Sequence, residues 1–393
     1  MKKYSISNKV LAAGAGLLFL ASCANDDAIP LYDPVFSGGA TEINYTWAAT
    51  ADSIQEATYT TFLGANGTFV ENNAGATRFH YWPNAHMLDV LNDGYLRTGD
   101  SNYATRMKAL LQGIKTMNNN TYNNDFNDDM IWLANSSLRA YASTNDQEYK
   151  DVARELWGII KQSWSDDVLD GGITWKQTED SRLQKNAVSN APAAIIALQL
   201  YELDNNPEDL EWAVKIYNWQ KQKLVDPLTG LVWDSISIRN GEVFTQTDWV
   251  FTYNMGTWIG AGLKLYKATG NQMYLSDAIR SARSVSSSPQ LLTEGLMKDE
   301  GQGDGGLFKG TLVRYYTELI MTPEINSSDR ENFVNFIEFN AKTAYRRGIT
   351  RPSMMFGPKW NTAPGTNTTD FTTQLSGAML IEAAALLHEA GHL

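Results

Sequence analysis

Cysteine is nearly missing from this chain: Cys23 is the only one in 393 residues. If that thiol is consumed by modification, no disulfide, cysteine nucleophile or cysteine-ligated metal remains. Histidine is almost as scarce, with four residues, so no His-rich metal centre can be assembled. Basic residues are in deficit, 32 against 44 acidic ones, for a formal net charge of −12. Nucleic acid and anionic lipid both demand the opposite sign, which excludes them as partners. Past the first 22 residues no apolar run is long enough to cross a bilayer. What is plentiful is aromatic, with 12 Trp and 18 Tyr. Rings with an apolar face and a polar edge suit a core, and they also suit a neutral ligand such as a sugar.

The N-terminus carries a processing pattern. Lys2 and Lys3 precede VLAAGAGLLFL (10–20), an apolar run too short to span a membrane as a mature helix. It ends in Leu20-Ala21-Ser22-Cys23, a match to the lipobox in which a small residue precedes a cysteine that is lipidated. Residues 1–22 are therefore read as a lipoprotein signal peptide, Cys23 as the lipid attachment point and 23–40 as a tether containing Pro30, Pro34, Gly38 and Gly39. Asp26-Asp27 resembles the surface-export signal of Bacteroidetes lipoproteins. The expected location is the outer membrane, at the cell surface with the periplasmic face as the alternative, and membrane contact runs only through the lipid.

Residues 41–393 repeat themselves loosely. Asp100-Ser-Asn-Tyr103, Asp146-Gln-Glu-Tyr149, Asn271-Gln-Met-Tyr274 and, in degraded form, Asn206-Pro-Glu-Asp209 each begin with an Asx suited to an N-cap and open a helical segment. Each follows another helical stretch rich in small residues, such as APAAIIALQLY (191–201) and GTWIGAGLKLY (256–266). The unit is a helical hairpin. Further hairpins are expected at about 84–117 and 311–347. SGAMLIEAAALLHEA (376–390) lacks a following partner, and 43–63 lacks a preceding one. Pairing these two closes an all-α ring of six hairpins, an (α/α)6 toroid whose small residues let the inner helices approach closely. The rival is an open superhelix, which ordinarily has tighter periods and polar caps.

The starts of the six inner helices are HYWPNAHM (80–87), FNDDMIW (126–132), KNAVSNAPA (185–193), TYNMGTW (252–258), GLFKGTL (306–312) and TTQLSGA (372–378). If these helices run parallel, the starts meet in one cup. It would be lined by Trp82, His86, Asp128, Asp129, Asn186, Asn190, Tyr253, Asn254, Lys309 and Gln374. Amides, hydroxyls and aromatic plates around two acids are what a sugar site needs. Neighbouring acids on one helix project about 100° apart, yet their tips can come within the roughly 5–5.5 Å that a retaining glycosidase uses. Mutual repulsion raises one pKa, and the helix start favours the ionised partner, so the pair can divide the roles of acid and nucleophile. The plainer reading is that Asn127 is an N-cap and the acids merely favour the first turn. Asp166-Asp167, a second such pair, reads as an exposed loop.

HEAGH (388–392) fits a zinc-protease pattern in letters only, since Gly391 interrupts the helix and no third ligand follows. GQGDGG (301–306) has no preceding strand or βαβ unit, which leaves a glycine-rich loop shaping a cleft. No metal and no cofactor is expected.

The ordered motifs YWPNAHMLD (81–89), FNDDMIW, GGITW (171–175), KNAVSNAPAAI (185–195), TYNMG (252–256) and GLFKGTLVRYY (306–316) resemble glycoside hydrolase family 76. The resemblance implies an (α/α)6 fold and a retaining endo-acting hydrolysis of α-1,6-linked mannan. It assigns Asp128 as nucleophile and Asp129 as general acid/base, and a mannose-binding cup that also includes Trp175. Met255 stands where the family commonly has Gln, which is expected to alter hydrogen bonding in one subsite. A single copy acting on mannan or mannooligosaccharide is expected. The alternatives are a non-catalytic glycan-binding lipoprotein on the same fold, and a glucuronyl hydrolase, for which only Lys309 and Lys185 could supply a basic subsite.

Overall fold

The computed structural model describes residues 44–393; the signal segment, Cys23 and the tether lie outside the described residues. Thr46–Leu393 form one compact unit. It is built from the contrast between two kinds of helix. Alternate helices bury nearly every side chain, and the ones between them bury a single stripe.

The twelve helices found among the described residues are α1 (Trp47–Phe62), α2 (Tyr81–Thr98), α3 (Ser101–Met117), α4 (Asn127–Thr144), α5 (Gln147–Ile160) and α6 (Ala191–Asp204), followed by α7 (Pro207–Leu224), α8 (Thr252–Thr269), α9 (Gln272–Val285), α10 (Gly305–Ile320), α11 (Ser327–Thr343) and α12 (Phe371–Glu389). The even-numbered helices pack side by side in the order α2, α4, α6, α8, α10, α12 and back to α2, forming an inner ring. In α6 every residue from Ala191 to Leu198 is buried. In α5, by contrast, Tyr149, Val152, Ala153, Leu156, Trp157 and Ile160 form one apolar stripe at helical spacing. The odd-numbered helices therefore form the outer shell, and the molecule is the expected (α/α)6 toroid.

Small residues let the inner helices touch. A Cβ on Gly256 of α8 would lie 2.6 Å from the Leu312 Cα, and one on Gly310 of α10 would lie 2.8 Å from the Ser376 Cα; interiors this dense do not give way. The ring closes where the sequence predicts it. α12 packs on α1, and Gln55 donates to Glu382 at 2.9 Å while Arg97 of α2 donates to the same carboxylate at 2.9 Å. Four outer helices start on the expected caps. Asp100, Asp146, Asn206 and Asn271 each accept from the amide two residues on, each stabilising its helix by about 1 kcal/mol.

Short strands decorate the ring. β1 (Gln184–Asn186), β2 (Ser235–Arg239) and β3 (Glu242–Thr245) form an antiparallel sheet in that order, with Lys185 opposite Ile236 and Ser237 opposite Phe244. β4 (Leu292–Thr293) pairs with β5 (Leu296–Met297).

Candidate active site

A cleft of about 850 Å³ opens at the end of the barrel where the inner helices begin. Its lining draws on Tyr81 and Trp82 of α2, Asp128, Asp129 and Trp132 of α4, Tyr253 of α8 and Phe308 of α10. The opposite ends of α2, α4, α8, α10 and α12 line a second cavity, so the inner helices run parallel.

The acid pair is presented by an unusual helix start. Phe126, in extended conformation, occupies the cap position and supplies no side-chain cap. Asn127, expected as the N-cap, is instead the first helical residue. Its side-chain amide donates to the Thr174 carbonyl at 2.9 Å, and its backbone N–H donates to the Trp175 carbonyl at 2.8 Å. The start of α4 is thus stitched to the 171–175 segment. That stitch lets the Trp175 indole Nε1 donate to the Asp128 carboxylate at 3.1 Å.

The same segment is clamped from its other side. Asn190, fully buried, accepts from the Ile173 N–H at 2.9 Å and donates to the Ile173 carbonyl at 3.1 Å and the Asn186 carbonyl at 2.8 Å. Lys185 donates to the Gly172 carbonyl at 2.8 Å, and burial pulls its ammonium down to about 8. Asn190, expected in the cup, is therefore a strut behind it. Asn190→Ala removes the partner of three backbone groups and is expected to destabilise the protein by about 2–3 kcal/mol. Urea unfolding measures this directly, and a loss near zero would show that the segment holds without the strut.

Burial raises the Asp128 carboxyl to about 7, against the Trp175 indole and the first-turn amides of Asp128 and Asp129, which favour its charge. Its Oδ1 has no hydrogen-bond partner. Burial, and then the neighbouring charges of Asp128 and Asp304, push Asp129 well above the usual carboxylate range. The pair is poised to hold one proton near neutrality.

Two further carboxylates face the cleft and were not singled out in the sequence. Asp304 lies within the glycine-rich loop and accepts from the Trp82 indole Nε1 at 3.0 Å. Asp234 accepts from the Tyr253 hydroxyl at 3.3 Å, Asn254 at 3.2 Å and Asn186 at 3.4 Å. Burial raises its pKa, against these donors. Phe308, also unforeseen, stacks on Tyr253 with ring centroids 3.9 Å apart.

Of the expected cup residues, Trp82, Trp175, Asn186 and Tyr253 line the cleft beside the acid pair, and the rest do not. His86 is buried beneath the rings of Trp82 and Trp132, at 5.5 and 4.7 Å, and burial lowers it to about 4, so it is a neutral support. Asn254 is fully buried and orients Asp234. Lys309 turns away from the cleft because successive helical residues diverge by about 100°; with Phe308 facing inward, its ammonium donates to the Pro358 carbonyl and sits 4.4 Å from the Trp360 ring centre. Gln374 lies between α12 and α1, donating to Thr58 at 2.9 Å and accepting from the Phe356 N–H at 3.0 Å. Met255 is fully buried with its sulfur 3.2 Å from the Val232 amide, so it borders no part of the cleft. At the C-terminus α12 ends at Glu389, and His388 and His392 do not share a helical face.

The sequence profile of glycosyl hydrolase family 76 matches residues 46–392, nearly the whole described chain. The chain belongs to that family. Its structure is similar to the GH76A α-1,6-mannanase of Salegentibacter sp., at 54% identity and a TM-score of 0.85, over 87% of this chain and 100% of that one. That relative was solved as an inactive variant, with two consecutive aspartates replaced by alanine, in complex with α-1,6-mannotetrose. The Lin0763 protein of Listeria innocua is similar at 30% identity and a TM-score of 0.80, over 89% of this chain and 99% of that one. A mannan endo-1,6-α-mannosidase of Candida glabrata is 23% identical over 319 residues, covering 74% of this chain and 70% of that protein.

Proposed function

We propose that this family 76 protein is a retaining endo-α-1,6-mannanase in which Asp128 is the nucleophile and Asp129 the general acid/base. The observation that carries the reading is the acid pair at the floor of the cleft. The inactive Salegentibacter variant lacks two consecutive aspartates. Among the described residues this chain has two such pairs. Asp166-Asp167 is exposed and engaged by Lys215 and Arg182, whereas Asp128-Asp129 lines the cleft.

The environments divide the roles. Asp128 receives an indole N–H and first-turn amides, so its charged form is the better supported. It attacks the anomeric carbon. Asp129 has the charges of Asp128 and Asp304 beside it and keeps its proton for the departing glycosidic oxygen. The resulting glycosyl ester is released when Asp129, now a base, takes a proton from water. Asp234 with the cleft-lining Asn186 amide and Tyr253 hydroxyl suits sugar hydroxyls, and Trp82, Trp175 and Tyr253 supply faces for pyranose rings.

Incubating the protein with unbranched α-1,6-mannan is expected to release a ladder of mannooligosaccharides with the α-anomer formed first, read by NMR. Binding without release of sugar would make it a carbohydrate-binding protein on a hydrolase scaffold.

The pH profile of kcat/KM is expected to be bell-shaped. Both carboxyls are raised, so activity rises as Asp128 ionises near pH 7 and falls at higher pH as Asp129 loses its proton. Asp304 raises both; Asp304→Asn therefore moves both limbs to lower pH. Limbs that stay in place would exclude Asp304 from setting the proton balance.

A further inference from the structure

One large exposed ring lies just outside the cleft. Trp249 is 53% exposed and precedes the start of α8 by only a few residues. Phe251 is in extended conformation, and Val250 beside it is buried. In an extended segment alternate side chains share a face, so Trp249 and Phe251 stand on the side opposite Val250. Their ring centroids are 6.2 Å apart. From Phe251 the series continues to Phe308 at 5.5 Å and on to Trp82 at 6.5 Å. Phe251, Phe308 and Trp82 all line the cleft. The rings therefore form one path from the Asp304-bound indole out to a ring in solvent.

The outer end of this path is anchored. The Trp249 carbonyl accepts from the Asp234 N–H at 3.0 Å, so its backbone is tied to a residue of the cleft floor. The ring thus sits on a fixed backbone, open to water and in line with the rings that line the cleft. An apolar face with a polar edge matches the alternation of C–H and hydroxyl surfaces on a pyranose.

We propose that Trp249 is an outlying sugar platform that takes mannosyl units of a chain whose other units fill the cleft, so that long chains are gripped better than short ones. This rests on the mannanase reading above and extends it beyond the cleft walls. The occupant follows from continuity, because the path leads nowhere except into the cleft.

The test compares wild type, Trp249→Ala and Trp249→Phe on α-1,6-mannotriose and on unbranched α-1,6-mannan. The ratio of kcat/KM on polymer to kcat/KM on trimer is expected to fall roughly three- to tenfold in the alanine variant through KM, the loss of one aromatic contact. The phenylalanine variant recovers most of it, and equal melting temperatures certify the fold. An equal loss on both substrates would overturn the proposal by showing that the residue acts only through its backbone tie to Asp234. No loss on polymer would overturn it by showing the ring idle. Failure of the wild type to cleave either substrate would instead defeat the mannanase reading on which the platform depends.

Discussion

Asp129→Ala is expected to lose the mannan ladder while still cleaving an aryl α-1,6-mannobioside whose leaving group needs no proton, and Asp128→Ala is expected to lose both. The difference follows from the separate tasks the two environments support. Without Asp129 the glycosidic oxygen of mannan must depart unprotonated, which costs about 10²–10⁴ in kcat. An aryl oxide departs without help, so the ester on Asp128 still forms. Azide, a nucleophile that needs no general base, then displaces Asp128 from the anomeric carbon and gives the α-mannosyl azide. In Asp128→Ala there is no ester to form. Azide can enter only the emptied space, expelling the aryl oxide directly and giving the β-mannosyl azide. Product anomers read by NMR thus assign each carboxylate independently of the size of the rate loss. Azide products of reversed anomeric form would exchange the two roles.

The architecture was legible because it is written in residue size. Inner helices such as Ala191–Asp204 are small and apolar all round, outer ones such as Gln147–Ile160 carry one stripe, and Asx residues mark where the outer helices begin. Closing the ring needed only counting, since one helix at each end lacked a partner. The β2–β3 hairpin had a signal that the helical reading passed over. Asn240-Gly241 joins two short β-prone runs, and both residues have positive φ, at 54° and 80°, as two-residue hairpin turns require.

The cup was less legible, and the reason is angular. Nearness to a helix start does not decide which residues meet, because a helix start offers side chains in every direction. Phe308 faces the cleft while Lys309 faces the Trp360 loop. Tyr253 lines the wall while Asn254 lies behind it holding Asp234. Asp234 and Asp304 belong to connecting segments, whose paths no periodicity describes. Asp304 had only the surrounding glycines to mark it.

The largest stability effect is expected from a carboxylate that never meets substrate. Asp93 of α2 accepts from Arg139 of α4 at 2.7 Å and from Arg314 of α10 at 3.0 and 2.8 Å. Since α2 and α10 are not neighbours in the ring, this contact crosses the barrel lumen. Asp89 completes the group, engaged by Arg139 and lying 3.8 Å from the Arg314 Nε. Burial works against the Asp93 charge, yet the Arg314 and Arg139 guanidiniums outweigh it and hold its carboxyl below the usual range. Both arginines are largely shielded, with side chains 7% and 23% exposed. Asp93→Ala leaves two guanidiniums sharing Asp89 alone, and an uncompensated buried charge costs about 3–5 kcal/mol. For a chain of this size that lowers the melting temperature by about 4–7 °C. Asp52→Ala is the control. It also removes a carboxylate from an arginine, Arg97, but Asp52 is 55% exposed, and such a pair is worth about 0–1 kcal/mol. Equal shifts in the two variants would show that water reaches the lumen and screens its charges as it does those at the surface.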